Sequence, residues 1–186
     1  MRLNFLPVAL ILLVAAHCRS ATERARECIV ISEGSGFYGI AAGSGNADDV
    51  RRLLGVPSAA IKHADYSYEL VYEARASSFF FKQGDPMHTI FAMTIGSPAC
   101  AETQKGVRLG ESTMRAVIRT YGQGQWRTSA GNDTWWLEYP NGTTFHVRAD
   151  LPIVFPLDEA KHLDRTIVRI GLEKNDERTP QKPEAN

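Results

Sequence analysis

Tyr66-Ser67-Tyr68-Glu69-Leu70-Val71-Tyr72-Glu73 places a large apolar or aromatic residue at every second position. That period of two predicts a β-strand with Tyr66, Tyr68, Leu70 and Tyr72 on one buried face. The pattern returns 67 positions later, where Trp135, Leu137 and Tyr139 stand for Tyr68, Leu70 and Tyr72. Gly39, Gly43, Val50 and Gly55 recur at the same offset as Gly106, Gly110, Val117 and Gly122. With only 15 glycines in the chain, three in register point to an internal duplication. Thr89-Ile90-Phe91-Ala92-Met93 then resembles Thr166-Ile167-Val168-Arg169-Ile170 at an offset of 77, so the second copy carries extra residues, assigned to Leu151 to Lys161.

A short capped helix precedes the predicted strand in each copy. In the first, Asn46 caps a helix with Ala47, Val50, Leu53 and Leu54 on one face, and Gly55 followed by Pro57 stops it. In the second, Thr113 caps, Met114, Val117, Ile118 and Tyr121 form the stripe, and Gly122 ends it. Pro140-Asn141-Gly142-Thr143 is a hairpin turn leading into Phe145 and Val147, and Phe79 to Phe81 is the equivalent return strand of the first copy. Final strands set Phe91, Met93 and Ile95, then Val168, Ile170 and Leu172, toward the core. The expected fold class is α+β: two tandem units, each of one or two short helices packed on a small antiparallel sheet. The boundaries are 1–17 for a signal peptide, 28–99 and 100–172 for the two units, and 173–186 for a polar, flexible tail.

The N-terminus reads as an export signal. Arg2 precedes an apolar run from Phe5 to Ala16, too short to cross about 30 Å of hydrocarbon as a helix. Two cleavage readings stand side by side. Val14, Ala15 and Ala16 suit an ordinary signal peptidase cutting before His17. Val14-Ala15-Ala16-His17-Cys18 resembles a bacterial lipobox, in which Cys18 becomes the lipidated first residue, although His17 stands where a small residue is usual. With Cys18 set aside, Cys28 and Cys100 remain, either as a disulfide in an oxidising compartment or as two buried thiols. A bridge across that separation is worth about 4 kcal/mol in the chain-entropy picture.

Composition narrows the function by exclusion. Twenty-one basic and 21 acidic residues give zero formal charge, with no basic run beyond a doublet, so the sequence lacks the footprint of a nucleic-acid binder. No CxxC pair or HExxH string is present, and His63, His88, His146 and His162 are scattered; neither a metal nor any other cofactor is expected. Gly34-Ser35-Gly36-Phe37-Tyr38-Gly39 contains a GxGxxG string without the strand and acidic residue of a dinucleotide site, and reads as a turn. Gly110-Glu111-Ser112 lacks the closing glycine of a nucleophile elbow and reads as the approach to a helix cap. Asp158 and Glu159 belong to a charged, solvated segment, and the two glycosylation-like triplets at Asn132 and Asn141 are incidental.

Asn46-Ala47-Asp48-Asp49-Val50-Arg51-Arg52-Leu53-Leu54-Gly55-Val56-Pro57 resembles the helix signature of the SmpA/OmlA-type small outer-membrane lipoproteins of the barrel-assembly machinery. Thr113 to Gly122 is a looser version. The resemblance implies helices preceding a small antiparallel sheet in a protein that is no enzyme and works by binding other envelope proteins. Two such units in tandem look like the β-lactamase inhibitor proteins, whose paired sheets present a concave face to an enzyme. No individual functional residue is carried over from either family.

The residues themselves offer one candidate surface. Alignment of the copies sets Trp136 at the position of Glu69, on the strand face that is polar in the first copy, with His146 and Arg169 on neighbouring strands. Tryptophan and arginine are enriched at binding hot spots, so this trio reads as an interaction surface, against packing under the inserted segment. That insert, Leu151-Pro152-Ile153-Val154-Phe155-Pro156-Leu157, is apolar; Phe155 either fills the seam between the units or meets a partner. The function expected from sequence is a non-enzymatic envelope protein that binds another envelope protein, free in the periplasm under the first cleavage reading and held at the outer membrane by a lipid on Cys18 under the second. An inhibitor or immunity protein blocking a hydrolase is the second reading, and a periplasmic hydrolase the third.

Overall fold

The computed structural model describes residues 28–33, 35–64, 67–82, 84–128, 134–148 and 162–174. The signal peptide with Cys18, the 151–161 insert with Phe155, Tyr66 and the tail beyond 174 lie outside the described residues.

The two helices form where the cap residues start them. Helix α1 (Ala47–Leu54) opens on a capping box: the Asn46 side chain accepts from the backbone N–H of Asp48 and Asp49 at 2.9 and 3.0 Å, and Asp49 accepts from the Asn46 N–H at 3.2 Å. Helix α2 (Met114–Tyr121) opens on the Thr113 hydroxyl, which accepts from the Ala116 N–H at 3.3 Å. At eight residues each, neither is long enough to persist alone, and each is held by burying two residues, Ala47 and Val50 or Met114 and Val117. Each is also pinned by a tyrosine from the sheet: the Tyr72 hydroxyl donates to the Gly55 carbonyl at 3.1 Å, and the Tyr139 hydroxyl to the Gly122 carbonyl at 2.9 Å.

Ahead of α1, β1 (Ile29–Ile31) pairs in parallel with β8 (Ala101–Thr103), and β2 (Gly36–Phe37) with β3 (Ile40–Ala41) makes a hairpin. Within the GxGxxG string Tyr38 and Gly39 thus make a tight turn, both at positive φ (57° and 71°) as the twist of a two-residue hairpin requires. A disulfide joins Cys28 to Cys100, immediately before β1 and β8, so the bridge and the parallel pair together fasten the N-terminal segment to the middle of the chain.

The remaining eight strands overturn the expected architecture. They are β4 (Ala59–Lys62), β5 (Ser67–Tyr72), β6 (Ser77–Lys82), β7 (Ile90–Gly96), β9 (Gln125–Thr128), β10 (Thr134–Glu138), β11 (Thr143–Arg148) and β12 (Arg169–Glu173). All lie in one antiparallel sheet, in the order β4-β5-β6-β7-β12-β11-β10-β9. The described residues are therefore mostly β, dominated by this one continuous sheet and carrying two short α-helices, and not the α+β pair of helix-on-sheet units expected over 28–99 and 100–172. The physical reason lies at the seam. The last strand of each half buries an apolar face, Met93 and Ile95 on β7 and Ile170 and Leu172 on β12, and in a separate unit it would be an edge with unpaired backbone groups. Pairing them from Arg169↔Gly96 to Glu173↔Ala92 satisfies both edges and merges two cores into one, from Leu70 and Phe79 through Met93, Ile95, Ile170 and Leu172 to Phe145 and Leu137.

Two side chains also depart from their expected sides. A bulge between Phe80 and Phe81 lets Phe81 pair with Ile90, so Ile90 is fully buried while Phe91 turns to the opposite face, its ring 6.4 Å from that of Phe80. In the second half Ile167, and not Val168, is fully buried, because β12 starts only at Arg169.

Candidate functional site

The sheet face turned away from the core displays three cross-strand rows. The first is Arg127, Trp136, His146, Arg169 and Gly96, on β9, β10, β11, β12 and β7. The second crosses all eight strands as Gln125, Glu138, Thr144, Gly171, Thr94, Ser78, Val71 and Ala59. The third, Glu173, Ala92, Phe80, Glu69 and Ile61, runs through the first half from the seam outward.

The middle row is low. Gly171 has no side chain, and a Cβ placed there would stand 2.4 Å from Thr144 Oγ1 and 3.4 Å from His146 Nε2. Taller residues flank the notch, and the result is a cleft of about 310 Å3 lined by Phe80, Phe91, Thr94, Thr144, His146, Gly171, Glu173 and, from the loop after β4, His63. A glycine inside a strand is where another backbone or a ligand approaches closely, and here it lies at the centre of the sheet.

Each wall of the cleft is ordered by its own contacts. The Trp136 indole stacks on the His146 ring, with centroids 5.5 Å apart and planes 20° from parallel. His146 Nε2 lies 2.9 Å from Thr144 Oγ1. Burial of the imidazole, reinforced by the neighbouring Arg169 guanidinium, pushes its pKa down to about 3, so the ring is neutral at ordinary pH. Arg169 itself is exposed. Beyond Trp136, Arg127 Nε donates to Glu138 Oε2 at 3.2 Å. On the opposite wall His63 Nε2 lies 2.7 Å from Glu69 Oε2, and burial raises the Glu173 carboxyl above its ordinary pKa.

The chemistry open to this arrangement follows from protonation. Thr144 and His146 form a hydroxyl–imidazole pair, but a base at about 3 is far below the near-neutral value that proton abstraction at neutral pH requires. A neutral histidine backed by tryptophan, with arginines at the margin, has instead the composition of a protein-binding hot spot. Among the described residues no three His, Cys, Asp or Glu side chains come together as a metal would need, and no helix is long and apolar enough to cross a membrane.

Of the residues singled out by sequence, Trp136, His146 and Arg169 stand in one row across three adjacent strands, whereas Cys28 and Cys100 lie bonded elsewhere. His162 stacks on Trp135, with centroids 4.5 Å apart, and belongs to the packed side. Sequence reasoning missed Gly171, Phe80, Phe91 and the His63–Glu69 pair. Gly171 left a signal, a glycine interrupting the apolar alternation Ile170-Gly171-Leu172. Phe91 left none, because its side is set by the bulge.

No protein-family model matches the sequence, and no curated protein matches it. Two solved structures are similar. One is a DUF4309 family protein from Bacillus subtilis, at 15% identity and a TM-score of 0.45, covering 73% of this chain and 82% of that one. The other is an extracellular protein containing an SCP domain from Bacillus anthracis, at 9% identity and a TM-score of 0.41, where the match covers 70% of this chain and 43% of that chain.

Proposed function

We propose that this protein is an exported, non-enzymatic component of the bacterial cell envelope that binds another envelope protein through the sheet face centred on Gly171. The observation that carries the reading is the row Trp136–His146–Arg169 standing beside a notch that only a glycine keeps open. Aromatic and arginine side chains beside a recess are the usual anchors of a protein interface, and the neutral His146 adds no charge to desolvate there. The Cys28–Cys100 bridge suits an oxidising compartment, which supports export. The reading includes a periplasmic location with Cys18 as the lipid-bearing residue of an outer-membrane lipoprotein, supported by the lipobox-like Val14–Cys18 and by the likeness of Asn46–Pro57 to the SmpA/OmlA helix signature.

The test is capture from envelope extract on immobilised protein beginning after Cys18, comparing the unaltered chain with Trp136→Ala, Arg169→Glu and a control, Val56→Asp. Val56 is 92% exposed and far in sequence from the row. A partner retained by the unaltered chain and by the control, but lost about thirtyfold with Trp136→Ala, is the expected result, equivalent to about 2 kcal/mol. A partner that binds all four forms alike places the interface elsewhere. Turnover of a peptidoglycan or ester substrate that survives Trp136→Ala and fails with Thr144→Val would replace the binding reading with a catalytic one.

A further inference from the structure

The cleft over Gly171 has a polar end and an apolar end, and the atoms around the missing side chain show which is which. A Cβ at Gly171 would meet Thr144 Oγ1 at 2.4 Å and His146 Nε2 at 3.4 Å on the β11 side, but the Thr94 methyl at 3.6 Å on the β7 side. From Thr94 the apolar character continues along β7. Phe91 lies three residues back, about 10 Å at about 3.4 Å per residue, with its ring 6.4 Å from that of Phe80. The His63 ring, also 6.4 Å from Phe80, prolongs this aromatic wall.

Each end restricts what fits. The Thr144 hydroxyl and the His146 ring are bonded to each other at 2.9 Å, and the imidazole is neutral, so the hydroxyl keeps one role open whichever tautomer the ring adopts. If the ring donates, Thr144 has its proton to give; if the ring accepts, Thr144 still offers a lone pair. A group that both donates and accepts, such as a hydroxyl, suits either case, whereas a carboxylate only accepts and an ammonium only donates. Glu173, in the same lining, already has a partner of its own, so it does not call for a cation, and its carboxyl disfavours an anion. At the apolar end, phenyl rings favour an incoming ring with centroids about 4.5–7 Å apart. A ring at that spacing from Phe91 reaches Thr144 with a hydroxyl on its far edge. The volume of about 310 Å3 is at the small end for binding pockets, room for one side chain rather than an extended ligand.

Resting on the reading that this sheet face binds a protein, we propose that the partner inserts a tyrosine side chain into the cleft, its ring against Phe91 and Phe80 and its hydroxyl on the Thr144–His146 pair. Tyrosine combines an apolar body with a polar tip and has few rotamers to lose, which is why interfaces use it as an anchor. Trp136, stacked on His146, then serves recognition by holding the imidazole in place.

The experiment titrates the folded mature chain, labelled with nitrogen-15, with N-acetyl-tyrosinamide and with N-acetyl-phenylalaninamide, and follows the amide signals of Thr94, Thr144 and Gly171. Saturable shifts at millimolar probe are expected, with the tyrosine probe about fivefold tighter, the net worth of one hydrogen bond. Thr144→Val, which removes the hydroxyl and nearly keeps the shape, should level the two probes, and Phe91→Ala should weaken both; circular dichroism checks that each variant folds. No saturable shift of those signals, equal affinity of the two probes for the unaltered chain, or a preference for tyrosine that survives Thr144→Val overturns the assignment. Probe binding without any Trp136-dependent partner refutes the protein-binding reading instead, whereas a Trp136-dependent partner without probe binding refutes the tyrosine anchor alone.

Discussion

Trp135 and Trp136 are adjacent in sequence and opposite in situation, and replacing each by alanine separates packing from recognition. Trp135 is 2% exposed, held between the Trp126 ring at 6.1 Å and the His162 ring at 4.5 Å. A buried tryptophan removes about 150–250 Å2 from water. At about 25 cal/mol per Å2 that is about 4–6 kcal/mol, and large-to-small core substitutions of tryptophan cost about 3–5. We therefore expect Trp135→Ala to lose about 4 kcal/mol, a large share of the roughly 5–15 that a domain has. Trp136 is half-buried and gives up mainly its stack on His146, worth about 0.5–1.5 kcal/mol beyond area. Urea melts followed by far-ultraviolet circular dichroism read the difference. With a slope of about 2 kcal/mol per molar, the midpoint falls by about 2 M for the first variant and by under about 1 M for the second. Equal shifts would show that Trp136 is part of the core and would remove the main support for a binding face.

Four further outcomes are expected. Gly171→Ala sets a Cβ 2.4 Å from Thr144 Oγ1, so adding Thr144→Ala should recover about 0.5–3 kcal/mol of the loss; additive effects in a double-mutant cycle would refute the clash. His146, with its folded pKa near 3 against an ordinary 6.5, leaves the unfolded chain binding more protons in between, so stability should fall as pH drops from about 6.5 toward 3; a His146→Gln variant with the same acid profile contradicts this. Cys100→Ala should cost about 2–5 kcal/mol in thermal melts, and alkylation of both cysteines in unreduced native protein would show that the bridge does not form. Cys18→Ser should move the protein from membrane pellet to soluble periplasm, whereas a chain that takes up no labelled palmitate was never anchored.

The local elements were legible because their causes are local. Asn46 and Thr113 cap the helices they were expected to cap, and Trp135, Leu137 and Tyr139 face the core as their period of two requires. The joining of the sheets was not legible, because nothing in the sequence near Met93 or Ile170 says which strand lies on the free side. Short edge strands were missed for a related reason: Ala59–Lys62 is mostly exposed and carries no burial pattern to read. On the outer face, the side taken by Trp136, His146 and Arg169 followed from alternation and the alignment of the two copies, while Phe91 depended on a bulge and His63 on a pairing with Glu69 through a loop.

The seam between β7 and β12 also bears on how the molecule comes together. Hairpins such as β5–β6 and β10–β11 join strands separated by only a few residues, but β7 reaches β12 across the whole second half of the chain. Closing the longer loop costs more entropy, so the seam is the late event of assembly, and until then each half displays an unpaired strand edge. A second copy offers the same strand in the same register. Two chains meeting at that stage exchange halves, giving an interlocked dimer whose local structure matches the monomer throughout. Refolding at rising concentration, followed by size-exclusion chromatography, should therefore yield a growing, slowly reverting dimer, and a monomer peak unchanged by concentration would argue that the seam forms early.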